Sequence, residues 1–291
     1  MMLKMTFFDQ IPHDLSDGYG DSTYIEFPNG QNMLIDVSTE LGGDAVLKSL
    51  LAMGVEQIDY FVASHLHKDH TGGFGRLAER IAVKEIILSG YGYKSIEADK
   101  AFPQIADERG IPVRQVRMGD EFHVGDVCLQ VLFPPRGIPE VSPELSYVEQ
   151  EINSNVYSMV LRMTYKGFSA LFAGDIYEET EKQLILTYGD SLRSTLLKVP
   201  HHGNDTSSGQ AFLDAVKPQL AVMMGRCCEW PVQLRFANAG IPLYGTLFDG
   251  TIAVQTDGAM LKAICGKGER EYRLPAATVQ CDNASDKECG K

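Results

Sequence analysis

Ile58-Asp59-Tyr60-Phe61-Val62-Ala63-Ser64-His65-Leu66-His67-Lys68-Asp69-His70-Thr71-Gly72-Gly73 is the stretch on which the reading of this chain turns. Its first half is a short apolar run that reads as a buried strand. Its second half places four metal-capable side chains, His65, His67, Asp69 and His70, within six residues, directly after the strand ends. Two imidazoles two residues apart on an extended segment point to the same side. A tight turn onto the next helix then carries Asp69 and His70 toward a neighbouring position, so one loop can serve two metals. Three of the chain's seven histidines lie here, which argues against a solvated polar loop.

Outward from this loop the pattern alternates. Toward the amino terminus, residues 3–9 and 23–36 read as strands around the Pro28-Asn29-Gly30 turn signal and end at Asp36, and 44–53 has helical spacing closed by Gly54. Toward the carboxyl terminus, Gly72-Gly73-Phe74-Gly75 opens a helix and KEIILSG returns to a strand. VCLQVLFPP, NVYSMVLRMTYKG and FSALFAGD read as strands, EETEKQLILTYG as a helix, and TLLKVPHHG as a strand running into a second histidine loop. GQAFLDAV is then a helix, QLAVMMG a strand, PVQLRFANAG a helix, and TIAVQTDG with AMLKAICG a closing hairpin. A single domain is expected over residues 1–275, followed by a polar, disordered tail at 276–291.

Composition narrows the partners. The 291 residues carry 26 Lys and Arg against 39 Asp and Glu, a net charge of −13. Long nucleic acid is held by rows of cations that displace counterions from phosphates, so no long-duplex surface is expected. MMLKMTFFDQ has no continuous apolar run and no stretch resembles a membrane span. Six cysteines in so long a chain do not read as a disulfide framework. A cytoplasmic, non-membrane protein is expected.

HLHKDHTGG resembles the H-x-H-x-D-H signature of the metallo-β-lactamase superfamily, and the other family stations follow in order. Asp36 resembles the first acidic station, Asp175 in LFAGDI the aspartate shared by two metals, and His202 in KVPHHG the last metal histidine. Within the superfamily, FPNGQNMLIDVS, Asn155 to Leu161, LLKVPHHGNDTSS and DGTIAVQTDG are similar to the metallo-hydrolase domain of ComEC/Rec2-type competence proteins, which also occurs free-standing. That group often has Asp at the place of His67, Ser at that of Asn204, and His-Pro at that of Trp230-Pro231.

The resemblance implies an αββα sandwich of the α/β class, two packed mixed β-sheets with helices on the outer faces. It implies two divalent ions, Zn or Mn: one on His65 and His67, the other on Asp69, His70 and His202, with Asp175 bridging and Asp36 holding the motif loop through hydrogen bonds. A hydroxide held between the ions would attack a phosphodiester. Asp69 and His201 are the expected catalytic groups; Asn155, Ser158 and His201 are the expected substrate contacts. His201 and His202 compete for one station, and His202, directly before Gly203, is preferred.

A third histidine for the first ion is missing, and Asn155 or Ser154 stands at its expected place. Thr206, Ser207 and Ser208 are read either as caps of the following helix or as phosphate contacts, and His13 and His123 as residues outside the site. The functional expectation is a phosphodiesterase or nuclease-like hydrolase of a small phosphodiester or short nucleic acid. The alternatives are a lactone, amide or thioester hydrolase on the same fold, and a non-catalytic metal-binding module.

Overall fold

The computed structural model describes residues 1–10, 19–93, 101–142, 144–225 and 229–274. His13 and the tail from 276 lie outside the described residues. Strands β1 (Leu3–Phe7), β2 (Thr23–Glu26), β3 (Asn32–Ile35), β4 (Gln57–Ala63), β5 (Ala82–Leu88), β6 (Val113–Gln115), β14 (Ile252–Thr256), β15 (Met260–Cys265) and β16 (Gly268–Arg273) form one sheet in the order β16-β15-β14-β1-β2-β3-β4-β5-β6. Strands β7 (Glu121–Val124), β8 (Val127–Phe133), β9 (Val160–Tyr165), β10 (Phe168–Phe172), β11 (Leu196–Lys198), β12 (Leu220–Met223) and β13 (Leu243–Gly245) form the other, in the order β13-β12-β11-β10-β9-β8-β7. Each sheet is antiparallel over one part and parallel over the rest, at β3-β4-β5-β6 and at β10-β11-β12-β13.

Alternation along the strands explains why two sheets and three apolar layers form. Leu3, Met5 and Phe7 of β1 face a central core shared with Leu129, Val131, Leu161, Met163, Ala170 and Phe172 of the second sheet. Strand β4, apolar from Tyr60 to Ala63, is covered on both faces, as a parallel strand requires. Phe61 on its outer face packs on Phe74 and Phe102, with ring centroids 4.7 and 5.8 Å away. These belong to α3 (Phe74–Arg80) and α4 (Ala101–Glu108), beside α1 (Glu40–Ala52). The second sheet is covered in the same way by α6 (Glu178–Tyr188), α7 (Gln210–Val216) and α8 (Trp230–Asn238). The expected αββα sandwich is the observed architecture.

Several local expectations need correction. Asn155 and Val156, read as the start of a strand, are the last residues of helix α5 (Tyr147–Val156), which was not anticipated. Ser146 accepts from Glu149 N–H while the Glu149 carboxylate accepts from Ser146 N–H, a reciprocal cap that starts a helix and overrides the apolar pattern after it. The strand begins only at Val160. Helix α4 and strand β16 were not anticipated either. Finally, Thr206, Ser207 and Ser208 do not cap α7 with their hydroxyls. That helix opens at Gly209 with no side-chain cap of its own. Its N–H groups are met from α6 instead: Ser208 N and Gly209 N donate to the Glu181 carboxyl at 2.6 and 2.9 Å.

Glu181 is buried, and burial pushes its carboxyl up to about 7 from an ordinary 4.5, against the two N–H donors that pull it down. Between those values the folded chain holds a proton that the unfolded chain has released. The stabilising contribution is therefore full below pH 4.5 and is lost as pH rises through about 7. In Glu181→Gln, denaturant midpoints measured across this window should lose that downward slope. An identical pH profile for both proteins would show that Glu181 titrates normally.

Candidate metal centre

The site is assembled from the carboxyl ends of parallel strands of both sheets, where chain directions converge and loops are free to carry chemistry. β3 delivers Asp36, β4 delivers Ser64 and His65, β10 delivers Asp175, and β11 delivers Lys198 and the His201-His202 turn. The motif loop closes through α2 (Lys68–Thr71), and backbone bonds tie it down: Val37 N–H donates to His70 O at 2.8 Å and Asp21 N–H to Asp69 O at 3.0 Å. The second histidine loop is held in a less favourable conformation. His201 and His202 both lie in the left-handed region, with φ of 47° and 51°, at roughly 1–2 kcal/mol per residue for side chains with a Cβ. Bonds from His201 N–H to Gly174 O (3.1 Å) and from Glu229 N–H to Gly203 O (3.0 Å) keep it there.

Two glycines make room for this. Gly174, with φ of 53°, sits where a Cβ would run into Ser158 Oγ. A Cβ on Gly225, with φ of 86°, would come within 2.8 Å of His202 Nδ1.

Asp175 Oδ2 is the point of convergence. His70 Nε2 and His202 Nε2 each lie 3.2 Å from it, and Asp69 Oδ2 lies 3.1 Å from His202 Nε2. Asp21, His70, Asp175 and His202 place ligand atoms within 4.8 Å of one another, all buried. This Asp/His/Asp/His group fits a divalent metal, whose ligands are neutral imidazoles and carboxylates around a shared centre. The imidazole rings are oriented from behind. His70 Nδ1 is 2.8 Å from Asp36 Oδ2, and Asp36 also accepts from Ser64 N–H and Oγ–H at 2.8 and 2.7 Å. His202 Nδ1 lies 3.2 Å from Met224 O and 3.2 Å from Asp21 Oδ1. His65 Nδ1 is 3.3 Å from Ser158 Oγ. In each ring Nδ1 is engaged and Nε2 faces the centre.

Beside this group lies a second set of groups with unmet bonding capacity. His65 Nε2, His67 Nε2 and Asp175 Oδ1 are buried without hydrogen-bond partners, as are Asn155 Oδ1 and Glu151 Oε1. Buried polar atoms are almost always paired, so this concentration of unpaired donors and acceptors is what a second ion would explain.

Electrostatics follow from burying so many charges together. Burial works to raise the Asp175 carboxyl, but His202 and His70 outweigh it and hold it well below the usual carboxylate range. Asp21 is likewise held low against burial by Lys198 and His202. Lys198, itself buried, is ion-paired with Asp21 and lies 3.8 Å from Asp175 Oδ1. His70 and His202 are driven well above the ordinary imidazole value, because Asp175 and the neighbouring carboxylates exceed the cost of burial. His65 goes the other way: burial, then the charge of His70, keep it neutral.

The remaining expected residues fall out as follows. His201 points away from the centre toward the rim, with Nδ1 2.7 Å from Thr206 Oγ1, Nε2 3.5 Å from Asn155 Nδ2, and its ring 5.2 Å from that of Tyr177. Asn155, at the end of α5, donates from Nδ2 to Tyr177 OH at 2.9 Å. Ser158 does not face a substrate: it is fully buried, and its Oγ accepts from Asp175 N–H at 3.1 Å. It therefore positions Asp175 and His65. His123 lies away from the centre on β7, 3.1 Å from Glu121 and near Cys128. Trp230 begins α8 and is 69% exposed.

Asp21 and Glu151 are the residues that sequence reasoning missed. Asp21 lies just before β2 with no motif around it, and only the contact with His202 reveals it. Glu151 was legible through the Ser146-x-x-Glu149 cap, which places it on a helix one turn before Asn155.

Residues 15–225 match the profile described as the Metallo-beta-lactamase superfamily. With that match over most of its length and the αββα fold around the metal-fitting group, the chain belongs to the metallo-β-lactamase superfamily. It is similar to ComE operon protein 3 of Bacillus subtilis, 27% identical over 223 residues that cover 71% of this chain and 27% of that protein. It is also similar to Competence protein ComA of Neisseria gonorrhoeae, 30% identical over 206 residues that cover 70% of this chain and 25% of that one. The matched region thus spans about a quarter of each of these relatives. Among solved structures, Tm1679, described as a metal-dependent hydrolase of the β-lactamase superfamily, aligns with a TM-score of 0.56 at 14% identity over 83% of this chain and 94% of that one, a likeness of fold.

If Asp36 orients His70 for an ion, Asp36→Asn should weaken divalent metal binding by roughly 10–100-fold with an unchanged circular dichroism spectrum. Calorimetric titration with Zn2+ checks this, and equal affinities in both proteins would remove the orienting role.

Proposed function

We propose that this protein hydrolyses the phosphodiester bond of a small molecule or short oligonucleotide, using two divalent ions, Zn2+ or Mn2+, at the centre described. The observation that carries the proposal is the coexistence of His70 and His202 nitrogens converging on Asp175 Oδ2, with Asp69 beside His202, and the buried, unpartnered His65 Nε2, His67 Nε2 and Asp175 Oδ1. Asp175 offers two oxygens, one meeting both histidines and one without a hydrogen bond, and a carboxylate of that kind suits a bridging role. When bound, such ions supply Lewis acidity toward a phosphoryl oxygen and activate water for attack.

The chain's own residues supply the rest. Asp69 has a side chain 37% exposed while the histidines around it are nearly closed off, so it faces the opening, where it can hold the proton of an incoming water. His201 at the rim is kept below its ordinary pKa by burial first and is neutral near pH 7. From there it can accept a hydrogen bond from a substrate hydroxyl, take up a proton released when water attacks, and return that proton to the leaving oxygen. The net charge of −13 favours small substrates over long duplexes. The similarity to two competence proteins supports a nucleic-acid or nucleotide substrate. One feature favours a second reading, hydrolysis of a lactone, amide or thioester: Tyr147, Val148 and Ile152 expose apolar surface on the same helix as Asn155.

Asp69→Ala should abolish turnover of a chromogenic phosphodiester with either metal while circular dichroism stays unchanged. A variant retaining most of its activity would end this mechanism, and native protein that cleaves only a lactone or thioester panel would establish the second reading.

Because His70 and His202 are held protonated near pH 7 in the metal-free state, metal binding there must release protons and tighten as pH rises. Calorimetry in buffers of differing ionisation enthalpy should detect the release. Binding without proton release would place the ion elsewhere.

A further inference from the structure

The first ion, on the proposed reading, has two histidines and the second oxygen of Asp175, and the sequence expectation looked to Asn155 or Ser154 for the third protein group. In the structure Asn155 turns its amide nitrogen toward Tyr177 and His201, while Asn155 Oδ1 and Ser154 Oγ are buried without partners and neither residue hydrogen-bonds to His65 or His67. The carboxylate that meets one of the motif histidines, His67, is Glu151, one turn earlier on α5. Glu151 Oε2 lies 3.4 Å from His67 Nε2. Yet no hydrogen bond forms: His67 Nε2 has no partner, and neither does the buried Glu151 Oε1.

Two donors sharing one ion at about 2.0–2.2 Å each, in tetrahedral geometry, stand roughly 3.3–3.5 Å apart. That is the observed spacing, and it exceeds the 2.8 Å of the charge-assisted contact between His70 and Asp36. The helix carrying Glu151 is fixed at both ends, by the Ser146 and Glu149 reciprocal cap and by the bond from Thr180 Oγ1 to Val156 O at 3.3 Å. The carboxylate is therefore presented, not merely nearby.

We infer that Glu151 is a protein ligand of the first ion, occupying the role left open by the missing third histidine. This rests on the dinuclear reading above. Two imidazoles with two carboxylates make a harder, more oxygen-rich set than three imidazoles, which moves the preference of this position from Zn2+ toward Mn2+.

The test is Mn2+ titration of the full chain by calorimetry and by electron paramagnetic resonance, for the native protein, Glu151→Gln and Glu151→His, with circular dichroism to confirm folding. Native protein should bind two Mn2+ per chain and show the spectrum of a coupled pair. Glu151→Gln should keep one ion and bind the other at least about tenfold more weakly, leaving the signal of isolated Mn2+. Glu151→His should restore the second site with Zn2+ now bound more tightly than Mn2+. Two Mn2+ bound by Glu151→Gln with native affinities would overturn the inference and reduce the contact to an ion pair, while leaving the dinuclear reading intact. Native protein that binds no second ion would overturn both.

Discussion

Everything about this site depends on burying a carboxylate, Asp175, where water does not reach. Four acidic side chains, Asp21, Asp36, Asp69 and Asp175, gather at the strand ends. Such groups carry a desolvation penalty of roughly several kcal/mol each when uncompensated. Compensation comes from within the chain: Lys198 beneath Asp21 and Asp175, and protons on His70 and His202. The same arrangement that makes the metal-free state tolerable makes it replaceable. A divalent ion supplies the same positive charge as the two protons it displaces from His70 and His202, gathered at one point between the Nε2 atoms already turned toward Asp175.

That orientation is bought with backbone geometry. His201 and His202 are both held in the left-handed region, and Asp36 has φ of 58°. Three non-glycine residues in that region at one site are the kind of local strain that a surrounding scaffold must over-determine. The scaffold here is extensive. Parallel strands of two sheets end at the same level, glycines at 174 and 225 admit side chains where a Cβ would collide, and Ser158 ties the amide of Asp175 to the ring of His65. Of the residues that differ from the competence-protein pattern, His67 is buried among the motif histidines, while Trp230 is exposed at the start of α8.

The metallo-β-lactamase fold is common to enzymes of many specificities, so membership settles the architecture and the class of centre rather than the bond that is cleaved. Helix α5 shapes one side of the site. It sets Asn155 against His201, Glu151 against His67, and an apolar exposed face of Tyr147, Val148 and Ile152 outward.

The amino-acid sequence by itself determined the alternation of strands and helices and the cluster from His65 to His70, because periodicity, turn residues and metal-capable side chains at fixed spacing are local properties. It also carried Asp36, Asp175 and His202, through resemblance in order along the chain. It read Asn155 and Val156 into a strand when they end a helix started by a capping box at Ser146, and it placed Ser158 at the substrate when that hydroxyl is buried. Only the tertiary structure decided that Asp21 stands behind His202, that Lys198 lies beneath the carboxylates, and that Glu151 meets His67. Those contacts join residues 181, 177 and 84 positions apart in the chain. No local pattern encodes such pairs, because their meeting depends on how two sheets pack and where their strands end.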